Sequence, residues 1–167
     1  MCGFTGFTGN LANKEEIIEK MMNRIIHRGP DSSGIHSDDN VTLGFRRLSI
    51  IGLENGSQPM YNEDGSIVIV FNGEIYNYEI IKEELLKKGH IFKSEADTEV
   101  LVHLYEEKGM DMLKEIRGMF AFVIYDTNKK ELFAVRDFFG IKPFYYSNIN
   151  GNLIFGSEIK SLSLIHI

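Results

Sequence analysis

Apolar and polar residues along the chain recur with two distinct periods. Between Asn13 and Ile26, the residues Ile17, Ile18, Met21, Met22, Ile25 and Ile26 recur at i, i+4 spacing, which predicts a helix with one buried stripe. Asn13 stands where a cap belongs, and Glu16 follows three residues later in capping-box position. The helix must end before Gly29-Pro30, because proline lacks an N–H and restricts the residue before it. A second helix is predicted over Asn77–Lys88, stopped at Gly89. A third is predicted over Asp97–Lys108, where Val100, Leu101, Leu104 and Tyr105 share a face and Asp97 is well placed as a cap.

Elsewhere the period drops to two. The segment Cys2–Gly9 interleaves Gly3, Gly6 and Gly9 with Phe4 and Phe7, and reads as a strand where backbones approach closely. Val41–Leu48 alternates, with Val41, Leu43, Phe45 and Arg47 on one face and Thr42, Gly44 and Arg46 on the other. Ser66–Asn72 follows the Asp64-Gly65 turn signal, and further strands are predicted over Phe120–Asp126, Leu132–Arg136, Phe144–Tyr146 and Leu153–Phe155. Turns at Thr127-Asn128 and Asn150-Gly151 suit antiparallel hairpins. The class is therefore α+β with largely antiparallel sheet.

The 167 residues suit one domain of about 100–200 residues. A net charge of −6 argues against an electrostatic nucleic-acid binder, which needs clustered Lys and Arg. The longest unbroken apolar run, Met119–Tyr125, is far shorter than the roughly 20 residues of a membrane span, so no membrane association is expected. The N-terminus has no basic stretch followed by an apolar core, and a cytoplasmic location is expected. One cysteine forms no internal disulfide, and with five scattered histidines no zinc cluster or other metal is expected. Residues 162–167, Leu-Ser-Leu-Ile-His-Ile, back-translate as a string that looks like a sequencing-transposon adapter end. They are read as a non-native tail on a domain covering residues 2–161.

Candidate chemistry starts at Cys2. Removal of Met1 would place a thiol and a free α-amine on one residue, and an amine of reference pKa about 7.7–8.0 can serve as base for the thiol. The commoner fate of a single cysteine is a small buried filler. Arg47 falls on the apolar face of its strand, where a guanidinium needs an anionic partner: a ligand carboxylate or an internal Asp or Glu. Arg46 is expected to face solvent. Asn72-Gly73 follows the apolar run Ile67–Phe71, and is either a plain turn signal or a pair of donors delivered to a rim. His27 is given a structural role, Lys14, Glu15, Glu16 and Glu19 a solvated face, and Arg136-Asp137 an internal ion pair.

Five stretches then stand in order: Met1-Cys2-Gly3; His27-Arg28-Gly29-Pro30-Asp31-Ser32-Ser33-Gly34; Arg47-Leu48-Ser49-Ile50; Asn72-Gly73-Glu74-Ile75-Tyr76-Asn77; and Arg136-Asp137 with Gly140-Ile141-Lys142-Pro143. Together they resemble the class II glutamine amidotransferases, and within them the glutaminase domain of asparagine synthetase B. That resemblance implies a four-layer αββα N-terminal-nucleophile hydrolase sandwich of two antiparallel sheets. It implies hydrolysis of L-glutamine to glutamate and ammonia through a Cys2 thioester, with the Asn72 side-chain amide and the Gly73 N–H as oxyanion donors. Arg47 would hold the α-carboxylate, Glu74 and Asp97 would lie near the α-ammonium, and the backbone of Leu48, Ile50 and Ile51 would add contacts.

No cofactor or metal is implied for this domain. ATP and Mg2+ belong, in the family, to a C-terminal synthetase domain that amidates aspartate. The sequence contains no Ser-Gly-Gly pyrophosphate loop, so that domain is read as missing, and a homodimer stays open for the full-length parent. Open alternatives are a truncated, inactive glutamine-binding fragment, the amidotransferase half of an enzyme amidating another carboxylate, and a non-catalytic binding module.

Overall fold

The computed structural model describes residues 1–48 and 56–163. In chain order the elements are β1 (Gly3–Thr8), α1 (Lys14–Arg24) with a 3-10 turn after it (Ile26–Arg28), β2 (Ser32–Ser37), β3 (Val41–Arg47), β4 (Met60–Tyr61), β5 (Ile67–Ile75), α2 (Tyr78–Lys87), α3 (Asp97–Lys108), a 3-10 segment (Gly109–Lys114), β6 (Gly118–Asp126), β7 (Glu131–Arg136), β8 (Tyr145–Ile149), β9 (Asn152–Gly156) and α4 (Ile159–Leu162). The strands form two sheets, ordered β2-β3-β1-β9-β8 and β4-β5-β6-β7. Every strand pair is antiparallel.

Alternation along the strands builds three apolar layers between four layers of structure. Phe4, Leu43, Phe45 and Phe155 of the first sheet meet Val68, Val70, Val123 and Tyr125 of the second. Phe7 and Ile154 point the other way, to Ile18, Met21 and Met22 of α1. On β5 the odd residues Ile67, Ile69, Phe71 and Ile75 pack under Val100, Leu101 and Leu104 of α3 and Ile81 and Leu85 of α2. β5 is thus covered on both faces, which is why it reads as a continuous apolar run rather than an alternating one. The result is the four-layer αββα sandwich of two antiparallel sheets. Among the described residues no helix is long and apolar enough to cross a membrane.

Glycine sets one contact within the first sheet. A Cβ on Gly6 would lie 2.6 Å from the Phe155 ring and 2.7 Å from the Thr42 carbonyl, so only glycine lets Phe155 lie across β1. The turns fall where expected: Gly65, Gly89 and Gly151 have φ of 77°, 100° and 85°, and Asn150 joins Gly151 at positive φ.

Several local expectations are corrected. Asn13 sits in left-handed conformation and makes no side-chain cap, while Glu16 pairs with Lys20 one turn on. Arg46 is half-buried instead of facing solvent, since its strand face lies under α1, and it donates to Asn23. Lys14 reaches back to the Asp38 carbonyl at 2.9 Å and is not part of a purely solvated face. Arg136 and Asp137 do not pair with each other. Arg136 donates to the Gly140 and Lys142 carbonyls, and Asp137 accepts from the N–H groups of Phe120, Ile141 and Lys142, so backbone contacts hold that loop. At the C-terminus, Leu162 is buried against the α1 layer, and residues 164–167 lie outside the described ones.

Candidate active site

β1 and β3 bring the first group of site residues together. Cys2 shares a strand face with Phe4 and packs on the inter-sheet cluster. The pairing Gly3↔Arg46, continued by one step, puts Arg47 across from Cys2. Leu48 closes the contact: its N–H lies 3.4 Å from Cys2 Sγ, and its carbonyl is 3.8 Å from the same sulfur. Arg47 is half-buried at the end of the face formed by Val41, Leu43 and Phe45, as alternation predicted.

Behind Cys2 a charged cluster holds the chain. Arg28 Nε donates to the Cys2 carbonyl at 3.0 Å, and Arg28 Nη1 reaches Glu158 at 3.2 Å. Burial alone would push the Glu158 carboxyl up, but hydrogen bonds from Lys160, His27 and Arg28 outweigh it and bring the pKa down to about 2. His27 therefore has the structural place expected of it, 2.8 Å from Glu158.

The second group comes from β5 and α3. The even residues Val68 and Val70 face the first sheet, and Asn72 and Glu74 continue that face toward the strand's end. Asn72 is 3% exposed, and its Nδ2 has no hydrogen-bond partner among the described residues. Glu74 is exposed. Gly73 lies opposite Phe120, and a Cβ there would sit 2.4 Å from the Met119 carbonyl, so the adjacent strand requires glycine at this position.

Asp97 opens α3 as its first helical residue; Ala96, in extended conformation, occupies the cap position expected for Asp97. With the cap position taken, the Asp97 carboxylate turns to β5, where Oδ2 accepts the Ile75 N–H at 2.8 Å. Burial pushes its pKa up to about 6; the Ile75 hydrogen bond opposes this, and the negative charge of Glu74 adds to it.

A strap that sequence reasoning missed joins the two groups. Gly56 lies against Arg47, where a Cβ would be 2.9 Å from Nη2. Two residues on, Gln58 Oε1 accepts the Phe71 N–H at 2.6 Å, and its Nε2 donates to Thr98 Oγ1 at 3.4 Å. The only signal in the sequence was a glutamine before Pro59, which carries no periodicity. Of the residues singled out earlier, Cys2, Arg47, Leu48, Asn72, Gly73, Glu74 and Asp97 lie in these two groups, while Ile50 and Ile51 lie outside the described residues. The groups offer a thiol, a guanidinium, a buried amide donor without a partner among the described residues, and a pair of carboxylates.

The architecture is shared with solved structures. The chain superposes with a TM-score of 0.81 on glutamine phosphoribosylpyrophosphate amidotransferase from Bacillus subtilis, at 21% identity, covering 99% of this chain and 44% of that one. A structure described as the allosteric regulatory enzyme of purine biosynthesis gives a TM-score of 0.83 at 21% identity, covering 99% and 43%. At that identity the likeness speaks for the fold alone.

Residues 1–166 match the glutamine amidotransferase domain, and the chain belongs to that family. Its relatives include asparagine synthetase (glutamine-hydrolyzing) 1 and 2 of Bacillus subtilis strain 168, 49% and 50% identical. Each alignment covers 97% of this chain, against 26% and 22% of those proteins. The asparagine synthetase (glutamine-hydrolyzing) 2 of Arabidopsis thaliana is 43% identical over 98% of the chain and 28% of that protein. The chain thus spans about a quarter of the length of these relatives.

Proposed function

We propose that this chain releases ammonia from L-glutamine through a thioester on Cys2, as the glutaminase part of a glutamine-dependent asparagine synthetase. The observation that carries the reading is the buried Asn72 amide nitrogen. It has no hydrogen-bond partner among the described residues and lies on the strand face that runs on from the cluster beneath Cys2. A buried N–H left unpaired is unfavourable by about 1–3 kcal/mol, so its persistence is best explained by a partner that arrives with substrate.

The chemistry follows from the groups present. Once Met1 is removed, the Cys2 α-amine, directly or through a water, takes the thiol proton. The sulfur attacks the side-chain carboxamide carbon, and the oxygen that becomes negative receives hydrogen bonds from Asn72 Nδ2 and the Gly73 N–H. The nitrogen leaves as ammonia, carrying the proton from the amine. Water then cleaves the thioester through a second tetrahedral oxyanion, giving glutamate and the free thiol.

Arg47 pairs with the substrate α-carboxylate, a task suited to its planar fork. Asp97 and Glu74 take the α-ammonium, and that cation favours ionised Asp97, offsetting the burial that pushes its carboxyl up. The Leu48 N–H fixes the sulfur. Backbone groups of Ile50 and Ile51 are assigned further glutamine contacts by family resemblance.

For the parent protein, aspartate as ammonia acceptor and an ATP- and magnesium-dependent synthetase domain are proposed from the relatives named above. None of the steps in this chain runs through them. Intact mass and glutamate release from glutamine, with and without the affinity label 6-diazo-5-oxo-norleucine, test the proposal. Loss of Met1, steady glutamate formation and one adduct that disappears in Cys2→Ala are expected. A folded, trimmed chain whose Cys2→Ala variant still turns over would remove Cys2 as nucleophile.

A further inference from the structure

Folding brings together two of the histidines that lie scattered in sequence. His103 on α3 and His90 in the connection after α2 have ring centroids 4.9 Å apart. Glu63, in the turn between β4 and β5, and Glu106, three residues after His103 on α3, complete the group. One ligand atom from each of the four lies within 4.8 Å of all the others.

We propose that Glu63, His90, His103 and Glu106 form a binding site for one zinc ion. The spacing approaches that of a tetrahedral ion, with one ligand atom from each residue and every pair within 4.8 Å. Ligand atoms about 2.0–2.1 Å from zinc stand roughly 3.3 Å from each other. Here Glu63 Oε2 is 3.2 Å from His103 Nδ1, Glu63 Oε1 is 3.4 Å from His90 Nδ1, and Glu106 Oε2 is 3.9 Å from His90 Nδ1.

The orientation of the rings is the second, independent observation. Both histidines turn Nδ1 toward the cluster and Nε2 toward a carboxylate behind it: His90 Nε2 is 3.3 Å from Glu107, and His103 Nε2 is 3.8 Å from Glu99. At His90 that is the carboxylate–histidine–metal arrangement, in which the outer carboxylate fixes the tautomer and leaves the inner nitrogen's lone pair for the ion; at His103 the outer contact is too long for a hydrogen bond and gives orientation alone. The His103 side chain is 1% exposed, and neither ring nitrogen makes a hydrogen bond of good geometry with any described residue. A buried imidazole with both nitrogens unsatisfied is uncommon.

The glutamates are held in turn, Glu63 by the Ile91 N–H at 3.0 Å and Glu106 by Asn62 Nδ2 at 3.4 Å. Two imidazoles and two carboxylates form a donor set suited to zinc, with no cysteine needed. The ion would clamp the β4–β5 turn and the α2–α3 connection to α3. Nothing in this assignment depends on the glutaminase reading.

The experiment uses the 167-residue chain stripped with EDTA and titrated with zinc chloride alone, with cobalt chloride as a spectroscopic probe. One zinc per chain is expected, together with the intense visible absorption of four-coordinate cobalt, and neither Mg2+ nor Ca2+ should compete. At about 100-fold excess over Kd, zinc should raise Tm by roughly 5–10 °C, reversibly with EDTA.

His90→Gln and Glu106→Gln should each weaken zinc binding by at least 10-fold with an unchanged circular dichroism spectrum. Glu106 is 41% exposed, so its loss does not threaten the core. Cys2→Ala should bind zinc as the parent does, which separates this site from the thiol. Sub-stoichiometric binding, or binding insensitive to His90→Gln and Glu106→Gln, would overturn the assignment and leave an ion-pair cluster only.

Discussion

Replacing Asp97 by Asn should stabilise the chain at about pH 8 and leave it unchanged at about pH 4. Burial, with the charge of Glu74 adding to it, moves the Asp97 carboxyl from its ordinary 3.8 to about 6, against the pull of the Ile75 N–H. Because the folded value lies above the unfolded one, the stability tied to the protonated acid is complete below about pH 4 and is lost as pH rises through about 6. At higher pH the folded chain carries a reluctant carboxylate at a penalty of about 3 kcal/mol.

Asparagine removes the charge, keeps the volume and can still accept the Ile75 N–H. Water at the partly exposed rim relieves some of the penalty, so a gain of about 1.5–3 kcal/mol is expected, or roughly 3–10 °C in Tm at this chain length. Thermal and urea unfolding of both chains, followed by circular dichroism between about pH 4 and pH 8, measures it. A variant no more stable than its parent at high pH, or one equally stabilised at both ends, refutes the reasoning. Under the proposed function glutamine turnover moves the other way, with KM rising at least 10-fold, because a neutral amide cannot balance an α-ammonium.

Two further outcomes follow from the site's geometry. Asn72→Ala should lower kcat by about 10²–10³-fold and leave KM within a few-fold, as expected for a donor that acts on the oxyanion; an equal rise in KM with unchanged kcat would assign Asn72 to substrate binding instead. Gly73→Ala places a methyl 2.4 Å from the Met119 carbonyl and should destabilise the β5–β6 pair by about 1–3 kcal/mol, read as a lower urea midpoint.

The elements legible in the sequence were those whose periodicity matched their packing. α3 was read at its true bounds, because Val100, Leu101 and Leu104 form one stripe over β5. Arg47 was legible for the same reason, as a charge standing at the end of an apolar strand face. β2 was not, since Ser32–Ser37 offers one large aliphatic side chain and pairs with β3 at a sheet edge. β4, two residues long, has no period to read.

At the site, Asp97 was legible as a helix-terminal acid, whereas its bond to Ile75 depends on β5 ending beside α3. Gln58 was hidden because its value comes from touching two elements at once. The grouping of His90 and His103 was hidden similarly, since it exists only after α2 and α3 have packed.

The place of β1 in its sheet has a consequence for the order of assembly. β1 lies between β3 and β9, and Phe4 exchanges hydrogen bonds with Ser157, 153 residues away. One edge of the first strand therefore stays unzipped until nearly all of this chain has left the ribosome, an interval of about 10–30 s at ordinary elongation rates. Pairing at such separation is entropically slow to form. Until then β1 is paired on its β3 side alone, and the last strand, β9, with Ser157 after it, acts as the latch on the first.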